Sequence, residues 1–235
     1  MQILLCILTF NERECLDVIL PSLPRPGAAS GFDRWIAIDG GSTDGTVECL
    51  QKAGIEVMQQ QRRGRGAACI EIMERVPADA YLFFSPDGNE DVADFPKFRA
   101  LLERNADLVI GSRMMAGAYN EEDGHLFKPR KTANRVFNLF ANVFFRRQGP
   151  FITDSINGFR AIRRTLAERL QLDAGDYTIE YQMTIRAMKL GAKIVEFPTR
   201  EGMRIAGHTG ATSIPTGFRF LRRFFSELTG EFGRV

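Results

Sequence analysis

The stretch "FFSPDGNED", residues 83–91, brings together residue types that bind a divalent cation. It starts like a buried strand and then turns into Pro, Gly, Asn and three carboxylates. Mg²⁺ and Mn²⁺ take oxygen ligands, so the carboxylate of Asp87 and the amide oxygen of Asn89 are candidate ligands. The usual pair of acids one residue apart is missing, because Ser85 stands where the first acid would be. The pattern predicts a metal loop at a strand end, a damaged metal loop, or a polar turn.

A second polar stretch, "AIDGGSTDGT" (37–46), follows a predicted strand and precedes a predicted helix. Its three glycines allow the chain to turn with positive φ and allow a ligand to approach the backbone. The carboxylate of Asp39, at the strand end, can accept hydrogen bonds from nucleobase amides or ribose hydroxyls. The alternative is a tight turn in which Ser42 or Asp44 caps the helix.

A third stretch, "RRGRGAA" (62–68), is a basic glycine loop that leads into a predicted helix. The free amides of a helix N-terminus, together with Arg62 or Arg63, suit a pyrophosphate. Many surface turns share this composition, so an ordinary surface turn is the alternative.

Short apolar runs alternate with amphipathic stretches over the first 110 residues. The runs are "QILLCIL", "RWIAID", "IEVMQ", "AYLFFS" and "DLVIG". Short apolar runs bounded by Gly, Asp and Pro are typical of buried parallel strands. Their alternation with helices predicts an α/β fold with right-handed crossovers and helices on both faces of a mostly parallel sheet.

In such sheets, ligands bind beyond the carboxyl ends of the strands. Four segments of this sequence fall at those ends: Thr9–Glu12, Asp39–Asp44, Ser85–Asp91 and Ser112–Arg113. All four are polar, so we expect the candidate residues to meet at one edge of the sheet.

The second half of the chain predicts longer helices. Residues 114–131 are expected to form a loop, and "TANRVFNLFANVFFRR" a helix. The stretch "TDSINGFRAIRRTLAERL" predicts a turn that leads into another helix, and "YTIEYQMTIRAMKLGAKIVEFPT" predicts a helix and then a strand. A Gly-, Thr- and Ser-rich loop and a last helix follow in residues 200–235. No repeat or domain linker interrupts the chain, which predicts a single domain.

The composition excludes several classes of protein. A formal net charge of +2 gives no argument for nucleic acid binding, although basic residues cluster locally. Four cysteines without paired metal spacing favour a reduced, cytoplasmic protein. The apolar start lacks a signal peptide's basic leader and cleavage site, and no run is long enough to span a bilayer. Membrane contact is therefore expected to be peripheral or through a membrane partner protein.

The ordered stretches together resemble family 2 glycosyltransferases with the GT-A fold. The nearest likeness is to the dolichol-phosphate (polyprenol-phosphate) mannosyl- and glucosyltransferases. The stretches that carry the resemblance are "LTFNERECL", "IDGGSTDGT", "GRGAA", "SPDGNED", "DLVIGSR", "DSINGFRAIRR" and "IEYQMTIRAMKLGAKIVEFPT". The resemblance implies a GT-A glycosyltransferase domain over residues 1–200, with residues 201–235 as a loop and an amphipathic helix of the same unit.

The resemblance implies that the first half of the chain binds a nucleoside-diphosphate sugar. The residues that would contact the nucleoside are Thr9, Asn11, Glu12 and Asp39. Those near the pyrophosphate would be Arg63, Gly64 and Gly66. A mobile loop over the donor would carry Arg200, Arg204 and His208. In this sequence Phe10 replaces the family tyrosine and Gly40 replaces the second acid of an Asp–Asp pair, which leaves the choice of base open.

The resemblance also implies an Mg²⁺ or Mn²⁺ ion on the diphosphate, held by Asp87 with Asn89 as a second ligand. Asp87 would act in catalysis through that metal, which stabilises the departing nucleoside diphosphate. Ser85 takes the place of the first family acid. Glu90 and Asp91 are either substitutes for it or acids in the first turn of the next helix.

For the acceptor, the resemblance implies a polyprenyl phosphate, guided by the cations of Arg113, Arg130 and Lys131. Arg113 is the strongest candidate and the second catalytic one. No strong general base is needed, because the acceptor is already an anion. The helix over Thr132–Arg147 would lie on the membrane surface, and an ordinary core helix is the alternative. The same two alternatives apply to Gly217–Phe232.

The leading hypothesis is thus an inverting, metal-dependent transferase that moves mannose or glucose from a nucleoside-diphosphate sugar to polyprenyl (dolichyl) phosphate. A second hypothesis keeps the chemistry and changes the acceptor. A third, based on Gly40 and Ser85, is a catalytically silent protein that binds nucleotide sugars.

Overall fold

One mixed β-sheet organises the protein. The computed structural model describes residues 1–123, 128–206, 213–230 and 232, with the backbone alone at 213–215. In this part of the chain, seven strands form a sheet in the order β3-β2-β1-β4-β6-β5-β7. The strands are β1 (Ile3–Thr9), β2 (Arg34–Asp39), β3 (Glu56–Gln59), β4 (Ala80–Phe84), β5 (Leu108–Ser112), β6 (Arg160–Arg163) and β7 (Ile194–Pro198).

Helices cover both faces of the sheet. They are α1 (Arg13–Ile19), α2 (Thr46–Lys52), α3 (Arg65–Arg75), α4 (Phe95–Glu103), α5 (Pro129–Phe145), α6 (Arg164–Leu170), α7 (Ile179–Lys189) and α8 (Ser213–Thr229). The core on one face contains side chains of α1, α2 and α4, and the core on the other face contains side chains of α3 and α5 to α8. The predicted α/β architecture, with a mostly parallel sheet between helices, is confirmed.

Strand β1 shows why an apolar run in the sequence predicts a buried strand. Its odd-numbered residues from Ile3 to Ile7 join one core, and its even-numbered residues from Leu4 to Leu8 join the other. None of these side chains is more than 8% exposed. A strand that is buried on both faces appears in the sequence as a continuous apolar run, which is what "QILLCIL" is.

Strand β6 is the antiparallel strand among those described, and the sequence analysis missed it. It lies between β4 and β5, whereas its residues were expected to belong to a turn and a helix. That expectation was wrong because "RAIR" is short and has a charged residue at each end, so it shows no strand period. Arg160 is nevertheless fully buried, because its guanidinium donates hydrogen bonds to the carbonyl oxygens of Asn157, Ser155 and Glu180.

Parallel pairing brings the polar turns to one edge of the sheet. Thr9 at the end of β1 lies opposite Asp39 at the end of β2, and Phe84 at the end of β4 lies opposite Ile7. Strands β4 and β5 are both antiparallel to β6, so β5 also runs in the direction of β1. The chain therefore leaves β1, β2, β4 and β5 on the side that the sequence predicted for the site.

Helix α8 is fixed to α7 by a buried cluster of charges around Glu227, which is 2% exposed. The carboxylate of Glu227 pairs with Nε of Arg186 at 2.9 Å and with Nζ of Lys189 at 3.0 Å. It also accepts a hydrogen bond from Nε2 of Gln182 at 2.9 Å. The C-terminal helix thus packs directly on the sheet-covering helices, while the predicted division of the chain at residue 200 stays a prediction.

Replacing Glu227 by the isosteric glutamine is expected to lower the free energy of unfolding by roughly 3 kcal/mol, because it removes the buried counter-charge shared by Arg186 and Lys189. Urea denaturation measures the change. The matched control is Glu168→Gln, which removes an exposed ion pair with Arg164 and should have a much smaller effect. Equal effects of the two substitutions would contradict the stabilising role of the buried cluster.

Candidate active site

The turns after β1 and β2 are joined by hydrogen bonds. The amide of Asn11 donates to Oγ of Ser42 at 2.8 Å, and Oδ1 of Asn11 accepts from the amide of Thr43 at 2.9 Å. The amide of Glu12 donates to Oγ1 of Thr46 at 2.9 Å. Residues that the sequence placed on separate strand ends therefore form one surface.

Asp39 has a structural role in this surface. Its side chain is fully buried, and its carboxylate accepts hydrogen bonds from the amides of Gly41 and Ser42 at 2.9 and 2.8 Å. The hydroxyls of Ser42 and Thr9 also donate to it, at 2.5 and 3.2 Å. Asp39 thus organises the glycine turn from within, and its predicted contact with a nucleoside stays a prediction.

Phe10 and Gly40, which both depart from the family pattern, are neighbours. The Phe10 side chain is 61% exposed, and a Cβ placed on Gly40 would stand 3.2 Å from its ring. The same point is 3.4 Å from Oε1 of Gln60. An exposed ring and an amide oxygen therefore border the place where the family carries a carboxylate.

The glycines of the turn at residues 64–66 are required by packing. A Cβ on Gly64 would overlap the carbonyl oxygen of Gly175, and a Cβ on Gly66 would overlap that of Ala174. The amide of Ala67 in the first turn of α3 donates to the carbonyl of Gly175 at 3.2 Å. The chain at 174–176 thus covers part of this helix N-terminus, and Arg63 is exposed beside it. The predicted pyrophosphate contacts of these residues stay predictions.

The loop after β4 presents oxygen atoms at the sheet edge. Oδ1 of Asp87 accepts from the amide of Asn89 at 3.1 Å. Oδ1 of Asn89 is buried and has no hydrogen-bond partner, which is costly for an amide oxygen unless a ligand satisfies it. Burial raises the pKa of Asp87, because removing the carboxylate from water disfavours its charge.

These oxygens fit a divalent metal that takes most of its ligands from a diphosphate and from water. One carboxylate and one amide oxygen are a sufficient protein share for such an ion. Among the residues that the structure describes, no three acidic, histidine or cysteine side chains form a site that could hold a metal by themselves. The donor set of Asp87 and Asn89 thus suits a metal that arrives with a phosphate ligand.

The other acids of the loop are engaged differently. Oε2 of Glu90 accepts from the amide of Ser85 at 2.9 Å, and burial, together with the charge of Asp87, raises the pKa of Glu90 to about 8. Glu90 therefore favours its neutral form at pH 7. Asp91 accepts from the amide of Ala93 at 3.0 Å and caps the short 3₁₀ turn that follows. Asp91 has the capping role that the sequence analysis left open.

No sequence motif singled out Arg65, yet its side chain reaches the loop after β4. Its Nη1 donates to Oγ of Ser85 at 2.9 Å, and its Nε pairs with Oε1 of Glu180 at 2.7 Å. Nothing in the stretch "RRGRGAA" distinguishes Arg65 from Arg62 or Arg63, so only the structure could identify it.

The segment at residues 200–206 is docked on the loop after β4. The amides of Gly202 and Ile205 donate to the carbonyls of Asn89 and Asp87, both at 2.9 Å. The guanidinium of Arg204 lies between two carboxylates, 2.8 Å from Glu12 and 3.0 Å from Asp87. Burial also raises the pKa of Glu12, and the nearby positive charge of Arg204 acts in the opposite direction.

The other predicted residues of this segment lie elsewhere. The guanidinium of Arg200 stands over the ring of Tyr119, 5.5 Å from its centroid. His208 lies outside the described residues.

The predicted acceptor cations are all paired with acids. Arg113 is largely buried, and its guanidinium contacts Asp154 at 2.8 Å and Glu201 at 2.8 Å. Arg130 pairs with Glu121 at 3.0 Å, and Lys131 pairs with Asp123. An acceptor phosphate would have to compete with these carboxylates, so its contact with the three cations stays a prediction.

The two acids that pair with Arg113, Asp154 and Glu201, are held in place by different parts of the chain. The amide of Asp154 donates to Oε1 of Glu196 at 2.8 Å, and Asp154 itself is fully buried. Glu201 belongs to the docked segment and also accepts from Nδ2 of Asn120 at 2.8 Å. Arg113 thus joins the fixed core of the site to the segment that covers it. No sequence motif indicated Glu201.

Comparison with known proteins agrees with this geometry. The family profile described as "Glycosyl transferase family 2" matches residues 5–171. Glycosyltransferase AglJ of Haloferax volcanii is 30% identical over 83% of this chain, which spans only 61% of AglJ's own length. A dolichyl-phosphate hexose transferase of the same organism is 27% identical over 81% of this chain and 78% of its own.

The fold has a solved counterpart. A crystal structure of glucosyl-3-phosphoglycerate synthase from Mycobacterium tuberculosis, in complex with Mn²⁺, uridine diphosphate and phosphoglyceric acid, superposes with a TM-score of 0.71. It is 19% identical to this chain and covers 97% of it, which corresponds to 78% of the synthase chain. The likeness confirms the predicted GT-A fold.

The predicted enzyme class is confirmed at the level of the family. The profile covers the strand ends, the metal loop and the Asp154 turn, and the relatives cover most of the chain. This protein belongs to glycosyltransferase family 2.

Proposed function

We propose that this protein is an inverting, metal-dependent glycosyltransferase that moves mannose or glucose from a nucleoside-diphosphate sugar to polyprenyl phosphate. The observation that carries the proposal is the position of Arg204, whose guanidinium is held between Glu12 and Asp87 at the carboxyl edge of the sheet. Two desolvated carboxylates at that edge form a site for positive charge. The divalent ion that accompanies a nucleoside diphosphate brings such a charge.

The donor would lie across the turns after β1 and β2. The exposed ring of Phe10 offers a face on which a nucleobase can stack. The sugar-bearing diphosphate would then extend toward Asp87. The solved synthase of the same fold, crystallised with Mn²⁺ and uridine diphosphate, supports this arrangement.

Asp87 and Asn89 would hold the Mg²⁺ or Mn²⁺ ion. When bound, the ion supplies positive charge that stabilises the departing nucleoside diphosphate. With Asp87 on the cation, Arg204 would keep Glu12 but lose one of its two carboxylate partners, and Nη1 would become available for phosphate oxygens. The segment at 200–206 would in this way exchange the contact between Arg204 and Asp87 for a contact between Arg204 and the donor.

The acceptor phosphate would approach Arg113. An anionic phosphate oxygen can replace the carboxylate of Glu201 at Nη1, while Asp154 keeps the guanidinium oriented. Because the nucleophile is already charged, the protein needs to position it rather than deprotonate it. Attack opposite the departing diphosphate inverts the anomeric carbon. The relative named dolichyl-phosphate hexose transferase supports this acceptor.

Helices α5 and α8 suit a membrane surface. Their buried faces pack together, with the ring of Phe224 5.3 Å from that of Phe140. Eight large apolar side chains on the two helices are between 37% and 69% exposed: Val136, Leu139, Val143, Phe144, Phe218, Leu221, Phe225 and Leu228. Exposed arginines on the same helices, Arg135, Arg219 and Arg222, complement anionic lipid. Each helix thus has a buried face, as the core alternative predicts, and an exposed apolar face, which supports the membrane alternative.

This surface supports peripheral attachment of the protein to the lipid that carries the acceptor. Within the described part of the chain, none of the helices has the length and apolar character needed to cross a bilayer.

A second candidate keeps the site and changes the acceptor to a soluble phosphate compound. The solved synthase with the same fold was crystallised with phosphoglyceric acid, and a phosphate group is what Arg113 is suited to bind. The two candidates differ in whether the exposed apolar face is used.

Incubation with radiolabelled nucleoside-diphosphate mannose or glucose, Mn²⁺ and polyprenyl phosphate is expected to yield a lipid-extractable sugar. Asp87→Asn should lower the rate by at least about 100-fold, because it removes the charged metal ligand. Transfer to a water-soluble phosphate acceptor, with none to the lipid, would favour the second candidate. No transfer from any donor would overturn both.

Calorimetric titration with nucleoside diphosphate is expected to show tighter binding in Mn²⁺ than in EDTA. Asp87→Asn should abolish the gain and Asn89→Ala should reduce it, because each removes one oxygen ligand. Asp91→Asn is the matched control, since this acid caps a turn and should leave the gain intact. If Asp91→Asn loses the gain in affinity with Mn²⁺ and Asp87→Asn keeps it, the metal ligand is assigned wrongly.

Sedimentation with vesicles that contain anionic phospholipid tests the apolar face. Substituting Val143 and Phe225 by serine should weaken binding at least about tenfold, since burying each side chain contributes roughly 1.5–3 kcal/mol. Val18→Ser, which removes an equally exposed side chain on α1, is the control and should have no effect. Binding that is unchanged in the double variant would rule out this surface.

A further inference from the structure

We propose that Arg65 is a further catalytic residue, which contacts the donor diphosphate and gives nucleotide binding a component that is independent of metal. The inference rests on the proposed function and deepens it. It concerns the position at the metal loop where the family acid is absent and Ser85 stands instead.

Arg65 is built to reach that position. It is the first residue of α3, yet its Nη1 lies 2.9 Å from Oγ of Ser85 at the end of β4. Its Nε is anchored 2.7 Å from Oε1 of Glu180, which is 5% exposed. The Arg65 side chain as a whole is 20% exposed, and its Nε is fixed by the ion pair with Glu180.

The packing leaves a notch for this guanidinium. A Cβ on Gly158 would overlap Nη2 of Arg65, so glycine at this position leaves room for the guanidinium where it lies. Among the described residues, none accepts a hydrogen bond from Nη2. One donor of the guanidinium is therefore available, and a second, Nη1, is bonded only to a neutral hydroxyl.

The serine keeps Arg65 available for an anion. An acid at position 85 would form an ion pair with Nη1 and, together with Glu180, would engage the guanidinium on two sides. The neutral hydroxyl of Ser85 is a weaker partner than a phosphate oxygen, because it offers the guanidinium neither an opposite charge nor a bidentate contact. A diphosphate can therefore displace Ser85 from Arg65, whereas it would have to compete with a carboxylate.

The position also suits the chemistry. In the transfer, the bond between the anomeric carbon and the diphosphate oxygen breaks, and its electron pair stays on that oxygen. The acceptor oxygen forms the new bond to carbon, and the negative charge moves to the leaving group. A guanidinium fixed beside Asp87 stabilises that charge without reorganising, as preorganised cations do.

A purely structural role is the competing explanation, because the Arg65–Glu180 pair links α3 to α7. Ser85→Asp separates the two roles. It leaves Arg65 and Glu180 in place but should hold the guanidinium in an ion pair, so it should mimic the loss of Arg65 in binding without removing the link between the helices.

The test is calorimetric titration of the full chain with uridine diphosphate and with guanosine diphosphate, each in EDTA and in Mn²⁺. In EDTA, Arg65→Gln and Ser85→Asp are both expected to bind at least about tenfold more weakly than the wild type. Arg65→Lys should recover part of the affinity. Arg99→Gln, which removes a similarly buried arginine from an ion pair with Asp33 on the opposite face of the sheet, should bind as the wild type does.

Two outcomes in EDTA would overturn the proposal. The first is that Arg65→Gln and Ser85→Asp bind the nucleotides as tightly as the wild type does. The second is that their losses of affinity are no larger than that of Arg99→Gln. If Arg65→Gln fails to fold by thermal melting, Ser85→Asp alone decides. If the wild type binds neither nucleotide even with Mn²⁺, the proposed function fails as well, whereas binding with Mn²⁺ that ignores Arg65 refutes only this inference.

Discussion

The site depends on the parallel pairing of β1 with β2 and with β4. This register sets Thr9 beside Asp39 and brings the loop of Asp87 to the same edge. A strand at the centre of a sheet must bury both of its faces, and β1 does so with side chains that are nearly all aliphatic. The chemistry of the protein is therefore confined to the turns, where the strands no longer need apolar residues.

Charge balance at this edge shapes the rest of the site. Glu12 and Asp87 are taken out of water by the fold, and Arg204 offsets their charge from the segment that covers them. On the other side of the segment, Glu201 offsets the charge of Arg113. One short piece of chain thus supplies a cation at the proposed metal site and an anion at the proposed site for the acceptor phosphate. Binding of both substrates would replace these internal partners with external ones of the same sign.

The sequence predicted the sheet well because its strands are buried on both faces and stand out as apolar runs between glycines and acids. It also predicted which turns carry the polar residues, since the direction of parallel strands dictates where they end. It failed at β6, where a buried arginine satisfied by carbonyl oxygens hides a central strand. It could not find Arg65, Glu201 or the packing role of Gly64, because those depend on contacts between residues far apart in the chain. Motifs reveal which residues a strand end offers, but not which partners they meet.

The most direct test of the account is a crystal structure with Mn²⁺ and a nucleoside-diphosphate sugar. The account predicts a metal bound by the carboxylate of Asp87 and by Oδ1 of Asn89, with Arg204 moved from Asp87 to the diphosphate. A metal bound elsewhere, or Arg204 still paired with Asp87 while the donor is in place, would contradict it.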